Sequence, residues 1–178
     1  MPTRPLSELE AMVGETRTTT EGLLVEAGKV EEFARSLHDD NPVFRDEEVA
    51  ENRGYEAVPA PLTFTRTVLF PRYRPDGVDT YRGFELGFER EYSLHGEQGY
   101  EFERPLLVGD ELSGETTLTD VFERDGRRGG TMTFAVFETE YTDTDGELVL
   151  TERSTVIETA GAVDDGGDAA GEGGAADA

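Results

Sequence analysis

The strongest structural signals lie in FARSLHDDNPVFRDEEVAENRGY, residues 33–55, and in VPAPLTF, residues 58–64. Apolar residues separated by three and four positions form one helical face: Val30, Phe33, Ala34 and Leu37. The helix is expected to end within residues 38–42, because Asp and Asn favour turns and proline disfavours helical conformation in the residue before it. The sequence therefore predicts an amphipathic helix followed by a polar turn.

Two further elements follow this turn. Acidic residues from Asp46 onward predict a short second helix, since negative charge is favourable at a helix N-terminus, and Gly54 ends it. After a loop rich in proline, residues 62–70 form the most apolar run of the chain. This run fits either a buried helix or a strand.

The second half of the chain is rich in strand patterns. With the segment at 17–27, the predicted strands are 84–92, 98–104, 111–123, 131–142 and 147–158. Hairpin loops are expected at 125–130 and at Asp145-Gly146. Early helices followed by a mostly antiparallel sheet give the α+β class, in which the helices cover one face of the sheet.

The composition restricts the function classes. The chain has 178 residues, 40 acidic against 16 basic, a net charge of −24 and no cysteine. Nucleic acid and anionic membrane are disfavoured as partners because both need a basic surface, and thiolate metal sites and disulfides are excluded. Because the acids are spread along the chain and Lys29 is its only lysine, we interpret the surface as that of a protein from a high-salt cytoplasm.

One domain is expected over residues 1–158. Residues 159–178 are rich in Gly, Ala and Asp and hold five of the acids, so a disordered acidic tail is predicted. The sequence has no apolar run of membrane-spanning length and no secretion-signal pattern. We therefore expect a cytoplasmic location.

The turn after the first helix is the best candidate for chemistry. It presents Asp39, Asp40 and Asn41 beside Pro42, close in sequence to the apolar run. A carboxylate and an amide at the mouth of an apolar groove could polarise water against an acyl substrate. On spacing alone, a polar helix stop explains the same residues.

The motif FA-x₄-DDNP-x₃-D-x₃-A-x₃-GY-x₄-AP-x-TF, starting at Phe33, resembles the signature of MaoC-like hydratases and dehydratases. Further motifs follow in the family's order at 94–98, 102–110 and 140–149, so the resemblance covers about residues 15–158. It implies a hot-dog fold, in which a long antiparallel sheet wraps around a central helix. It also implies action on acyl thioesters of CoA or acyl carrier protein, without a cofactor, in dimers or double-hot-dog pairs.

The resemblance assigns site residues position by position. Asp39 matches the family's catalytic Asp and Asn41 its Asn, but Phe44 stands where the family has its catalytic His. A phenyl ring cannot transfer the proton that water addition requires. Pro61 stands at the glycine before the central helix and has no N–H, which leaves the amides of two neighbouring residues to bind a thioester oxyanion. With Phe44, the candidate substrate-binding residues are therefore Pro61, Leu62 and Thr63.

Two histidines could supply the missing imidazole. His95 lies in a turn-like segment before a strand and is the candidate acid or base if the chain acts alone. A single loop histidine is more often structural or solvated. His38 stands at the family's glycine before the motif Asp, and a helix-capping role fits it better.

These observations favour a subunit of an (R)-specific enoyl-thioester hydratase or 3-hydroxyacyl-thioester dehydratase. The expected partner is a second MaoC-like chain with the intact Asp and His, in a heterodimer, although a homodimer stays open. Two alternatives remain. One is a hot-dog module that binds acyl thioesters or stabilises an assembly without catalysis, and the other is a thioesterase.

Overall fold

A computed structural model describes residues 2–75, 80–126 and 130–160. Five strands form one antiparallel sheet: β1 (Thr16–Leu24), β2 (Ser93–Phe102), β3 (Glu111–Gly126), β4 (Gly130–Thr142) and β5 (Leu148–Glu158). Their order in the sheet is β1-β3-β4-β5-β2. The edges are therefore β1 and β2, and five of the six predicted strands are confirmed with shifted ends.

Three α-helices precede most of the sheet: α1 (Leu6–Glu10), α2 (Ala27–Ser36) and α3 (Glu47–Asn52). The helix predicted from residues 30–37 is confirmed as α2, and the short acidic helix is confirmed as α3. Asp46 caps α3 by accepting a hydrogen bond from the Val49 amide at 3.2 Å. The sequence pattern missed α1, because five residues are too short for a periodic signal.

The apolar run at 62–70 forms a 3₁₀ helix over Phe64–Leu69, and a second one follows at Pro71–Tyr73. Phe64 is fully buried in the main core, so this segment occupies the place expected of the central helix. Its β-branched threonines and valine disfavour a long α-helix, and Pro71 limits its length. The expected central helix is therefore a short 3₁₀ helix.

The prediction of a strand at 84–92 is wrong. This segment has only an isolated bridge between Tyr81 and Phe84, and a 3₁₀ helix forms at Arg90–Tyr92. Alternate residues Phe84, Leu86 and Phe88 are nevertheless buried in a second core cluster, which explains the period of two in the sequence. The segment packs on the sheet without pairing with a strand.

Both predicted hairpins connect sheet neighbours. β3 and β4 pair as far as Gly126 and Gly130, and residues 127–129 lie outside the described part of the chain. Between β4 and β5, the Asp143 carboxylate accepts hydrogen bonds from the amides of Asp145 and Glu147 at 3.1 and 3.0 Å. Gly146 has a φ of 81°, a conformation that glycine adopts without strain.

The sheet's buried side chains are unusually mixed in polarity. Apolar residues such as Leu118 and Phe137 are buried beside threonines and two glutamates of β5, Glu152 and Glu158. Buried polar groups are costly unless hydrogen-bonded. The polar part of the sheet therefore requires specific partners, and it adjoins the cavity described below.

The predicted acidic tail lies outside the described residues from position 161 onward. Within the described part of the chain, no helix combines the length and apolar character that a membrane crossing requires.

Candidate functional site: an arginine-lined cavity

The turn after α2 begins with a helix stop in which two amides bond back to the last helical carbonyls. The Asp39 amide donates to the Ala34 carbonyl and the His38 amide to the Arg35 carbonyl, both at 3.0 Å. His38 itself has a φ of 58°. This is the left-handed position where glycine is favoured, so the glycine that the family motif has here is explained by backbone geometry. His38 is exposed and ends the helix.

The next residues are held by local side-chain bonds. Asp39 Oδ1 accepts from the Asn41 amide at 3.0 Å, and Asn41 Oδ1 accepts from the Val43 amide at 3.2 Å. Asn41 thereby caps a 3₁₀ helix over Pro42–Phe44, with proline at its first position. The side chains of Asp39 and Asn41 therefore both accept hydrogen bonds from backbone amides within the turn.

Phe44 is half-buried and packs against the main core cluster. Its ring contributes apolar contact, and neither donates nor accepts a proton. The position that carries an imidazole in the family motif therefore belongs to the core in this chain.

The segment at 61–63 precedes the central 3₁₀ helix. Pro61 is buried, and its carbonyl accepts from the Phe64 amide at 2.9 Å. Leu62 is 69% exposed, and Thr63 is half-buried and shows no side-chain cap. Leu62 and Thr63 directly precede the 3₁₀ helix that begins at Phe64, and the oxyanion role of their amides stays a prediction.

A cavity of about 340 Å³ is lined by residues of β1, β2 and β5, by residues of the central 3₁₀ helix, and by residues at positions 74, 80–82 and 90. Its lining comes from Thr19, Thr20, Arg66, Val68, Leu69, Arg74, Thr80, Tyr81, Arg82, Arg90, Ser93, Leu94, His95, Ser154 and Val156. The volume lies near the lower end of the range for small-molecule sites.

The lining is basic in a strongly acidic chain. Four of the 16 Lys and Arg residues line the cavity, and among its described lining residues there is no Asp or Glu. Arg74 donates to the Thr80 carbonyl at 3.1 Å. The described lining of the cavity is therefore rich in arginine, although the molecule carries a net charge of −24.

The floor of the cavity is a buried polar network around Glu152, which is 1% exposed. Arg82 forms an ion pair with this carboxylate and donates to the Thr139 hydroxyl at 3.2 Å. Thr65 and Tyr141 also donate to Glu152, at 3.1 and 3.4 Å. The buried charge is thus paired and hydrogen-bonded, which is the condition under which a buried carboxylate is tolerated.

The network continues across the sheet through threonine hydroxyls. Thr139 bonds Thr116 at 2.7 Å, and Thr116 bonds Thr19 of β1 at 2.8 Å. Thr19 in turn lines the cavity. One chain of hydrogen bonds therefore joins β1, β3, β4 and β5 beneath the arginines.

Burial shifts the titration of the network. Desolvation raises the pKa of Tyr141, and the adjacent Glu152 carboxylate raises it further. For Arg82, burial lowers the pKa, but Glu152 and then Tyr141 outweigh this effect and the pKa is raised. At neutral pH the floor thus holds a neutral tyrosine and a charged arginine.

The family described as FAS1-like, dehydratase domain region, matches residues 11–152. The chain belongs to this family. A UPF0336 protein of Mycobacterium leprae is 33% identical over 126 residues, which cover 71% of this chain and 70% of that protein. A UPF0336 protein of Saccharopolyspora erythraea is 30% identical over 148 residues, covering 83% and 89%.

Two similar solved structures are of dehydratases. The C-terminally truncated HadBC complex, a (3R)-hydroxyacyl-ACP dehydratase of Mycobacterium tuberculosis, matches with a TM-score of 0.67 and 28% identity over 82% of this chain and 96% of that chain. A MaoC-like dehydratase matches with a TM-score of 0.70 and 31% identity, over 84% of this chain and 43% of that chain. The fold is the α+β hot-dog fold, as expected from the sequence.

Of the predicted site residues, only His95 lines the cavity. It lies on the edge strand β2, where the register shifts between His95 and Glu97. Among the described lining residues, none comes from the predicted sites at 39–44 or 61–63. The catalytic assignment of Asp39, Asn41 and His95 stays a prediction, as does the substrate-binding role of the other four.

The sequence reasoning missed the arginines and the floor of the cavity. Arg66 and Glu152 each interrupt an apolar pattern: Arg66 lies in the run at 62–70, and Glu152 falls in phase with Leu148 and Leu150. A charge in an apolar phase is a usable signal for a buried polar site. Arg82 lines the cavity together with Arg66 and forms an ion pair with Glu152, and this arrangement could be found only from the fold.

Proposed function

We propose that this FAS1-like dehydratase domain is one subunit of an (R)-specific enoyl-thioester hydratase or 3-hydroxyacyl-thioester dehydratase. In this proposal it supplies part of the substrate cavity, and a second MaoC-like chain with an intact Asp and His performs proton transfer. The observation that carries the proposal is Phe44, a core-packed ring at the position of the motif's histidine. Family membership and the dehydratase relatives support the reaction class.

The reaction explains why a partner is needed. Water addition to a 2-enoyl thioester requires a base that takes a proton from water and an acid that gives one to the carbon next to the thioester. Asp39 can accept a proton, but its carboxylate also holds the turn through the Asn41 amide. With Phe44 beside it in sequence, the turn lacks the second proton-transfer group.

The surface around the cavity supports a partner. Leu69 and Leu94 line the cavity and are 53% and 55% exposed, and Leu62 and Phe70 are exposed as well. β2, which carries Leu94, is an edge strand with unpaired backbone groups on one side. A second hot-dog chain placed here would cover these apolar side chains and narrow the cavity mouth. HadBC, a similar structure, is a complex.

The substrate would be an acyl-CoA or an acyl carrier protein thioester, with no cofactor, in the cytoplasm. Neither water addition nor its reversal changes the oxidation state of the substrate overall, so acid-base groups and an oxyanion site suffice.

The test is hydration of crotonyl-CoA in molar KCl, followed as loss of the enoyl-thioester absorbance. The folded chain alone is expected to give no turnover at enzyme-like rates, and the mixture with its MaoC-like partner is expected to exceed the activity of the partner alone. Turnover by the isolated chain would overturn the proposal. A His95→Ala variant would then establish whether that imidazole is the acid or base.

A binding module without catalysis is the second candidate, and the arginine-lined cavity is the observation that favours it. The same assay distinguishes this candidate from the subunit proposal. A module would bind acyl thioesters but leave the turnover and chain-length range of the MaoC-like partner unchanged.

A further inference from the structure

A row of apolar side chains crosses the face of the sheet that is turned away from the core. Phe122 of β3 lies opposite Phe134 of β4, Phe134 lies opposite Ile157 of β5, and Ile157 lies opposite Leu94 of β2. Among the described residues, neither core cluster contains any of these four, whereas Val121, which points to the other face, is buried in the core. The four side chains form an outer stripe across four strands.

The outer stripe is accessible and differs from the rest of its face. Leu94 is 55% exposed, and the other three side chains are half-buried. The rings of Phe122 and Phe134 stack with their centroids 4.8 Å apart and their planes 7° apart. Farther along the same face, the exposed residues Glu115 and Glu140 lie opposite each other. An apolar surface across four strands of a strongly acidic chain marks an interaction site.

Two charges of opposite sign flank Phe122 on its own strand. Asp120 and Arg124 are exposed and point to the same face as Phe122, because each lies two positions from it. Within residues 2–75, 80–126 and 130–160, neither side chain forms an ion pair or a hydrogen bond. The Arg124 guanidinium lies over the rings of Phe122 and Phe134, at 4.9 and 5.8 Å from their centroids. A stacked guanidinium keeps its N–H groups for a carboxylate.

This arrangement is complementary to itself. A twofold axis that runs along the outer stripe, midway between two facing sheets, reverses the strand direction and places each apolar side chain over its copy. Because Phe122 lies midway between Asp120 and Arg124, the axis brings Arg124 of each copy over Asp120 of the other. Facing sheets lie about 10 Å apart, a distance that side chains of this size fill. Glu115 of the two copies lies on opposite sides of the axis, so the acidic parts of the two faces do not meet.

We propose that the outer stripe is an interface at which two copies of this chain pack back to back, with Arg124 of each copy paired with Asp120 of the other. The surface proposed above for a MaoC-like partner lies at the cavity mouth and meets this interface only at Leu94. The inference uses no property of the substrate and is therefore independent of the proposed function. The two contacts together would join two heterodimers into an assembly of four chains.

The test measures the dissociation constant of the dimer by sedimentation equilibrium of the full chain in molar KCl. Asp120→Arg and Arg124→Asp each place two like charges against each other at two symmetric positions. Each variant is expected to weaken the dimer about tenfold or more, because like charges that meet in an interface repel and are screened less than exposed charges. The double variant exchanges the two charges and is expected to restore the wild-type constant to within about threefold.

Glu115→Arg is the matched control. Glu115 lies on the same strand and the same face as Asp120, its substitution changes the charge equally, and it lies outside the proposed contact. Its dimer should have the wild-type dissociation constant. All three substituted positions are exposed, so the variants should fold, and circular dichroism establishes that they do.

Three outcomes would overturn the inference. A wild-type chain that is monomeric throughout the concentration series would mean that two copies do not pack on the outer stripe. If Asp120→Arg then weakened the binding of a MaoC-like chain, that chain would be the occupant. A dimer that neither single variant weakens would lie at another surface, such as the β2 edge. Single variants that weaken the dimer without recovery in the double variant would mean that Arg124 and Asp120 do not pair across the axis.

Discussion

The turn after α2 and the arginine-lined cavity are built in opposite ways. The turn is local: Asp39 bonds a residue two positions ahead, and so does Asn41. The cavity is assembled from distant parts of the chain: Arg82 and Thr65 reach Glu152 across 70 and 87 positions. A local motif can persist for its turn geometry alone, whereas the distant assembly depends on the whole fold.

The region that identifies the family is therefore not the region that holds the buried polar groups. The turn carries the family motif, yet its polar side chains act as backbone acceptors and its histidine position is a core phenyl ring. The cavity has no sequence motif, yet it holds the arginines and the buried network. Variants in the two regions should therefore differ in the size and the kind of their effects.

The largest effect is expected from Glu152→Ala, which leaves Arg82 buried without its counter-charge. Removing one partner of a buried ion pair costs about 3–5 kcal/mol in the free energy of unfolding. Urea denaturation in molar KCl measures it. The control Glu101→Ala breaks an exposed pair with Arg153 and should cost about 0–1 kcal/mol. Equal costs would mean that the buried ion pair of Glu152 and Arg82 contributes no more to stability than an exposed ion pair.

Tyr141→Phe should cost less, about 1.5 kcal/mol at neutral pH, because Glu152 loses one long hydrogen bond to a charged acceptor. The variant also has a pH signature. Because burial raises the folded pKa of Tyr141 above its ordinary value of 10.0, its contribution is full below pH 10 and is lost as the pH rises above it. The melting temperature of the Tyr141→Phe variant should thus fall less steeply above pH 10 than that of the wild-type protein. An identical decline would contradict the burial of this hydroxyl.

Asn41→Ala tests the turn. Loss of a side-chain cap costs about 1 kcal/mol, since the Val43 amide loses its acceptor. The neighbouring exposed Asp40→Ala is the matched control and should change stability by less than about 0.5 kcal/mol. A cost for Asn41→Ala as large as that for Glu152→Ala would mean that the turn is more than a local structure.

The smallest effect is expected from His38→Gly, and it has the opposite sign. Because His38 has a φ of 58°, glycine should relieve strain and raise the free energy of unfolding by up to about 1 kcal/mol. Glu32→Gly, at an exposed position in the middle of α2, should lower it by about 0.5–1 kcal/mol. Destabilisation by His38→Gly would show that the imidazole makes a contact that outweighs its backbone strain.

The sequence was sufficient where the signal was local or periodic. α2 followed from the spacing of Val30, Phe33, Ala34 and Leu37, and the strands followed from their alternation. It failed at 84–92, because alternating burial does not require strand pairing, and at α1, which is too short to have a period. The cavity could not be predicted, since only the fold brings Arg66, Arg82 and Glu152 together.

The central claim is that this chain shapes the substrate site while a partner transfers protons. Its most direct test is the kcat of the reconstituted pair with Asp39→Asn in this chain, because asparagine keeps the oxygen that accepts from the Asn41 amide and removes the base. The account predicts a kcat within about twofold of wild type. A loss of about 10²-fold or more, the usual contribution of a general acid or base, would contradict it and place catalysis in this chain.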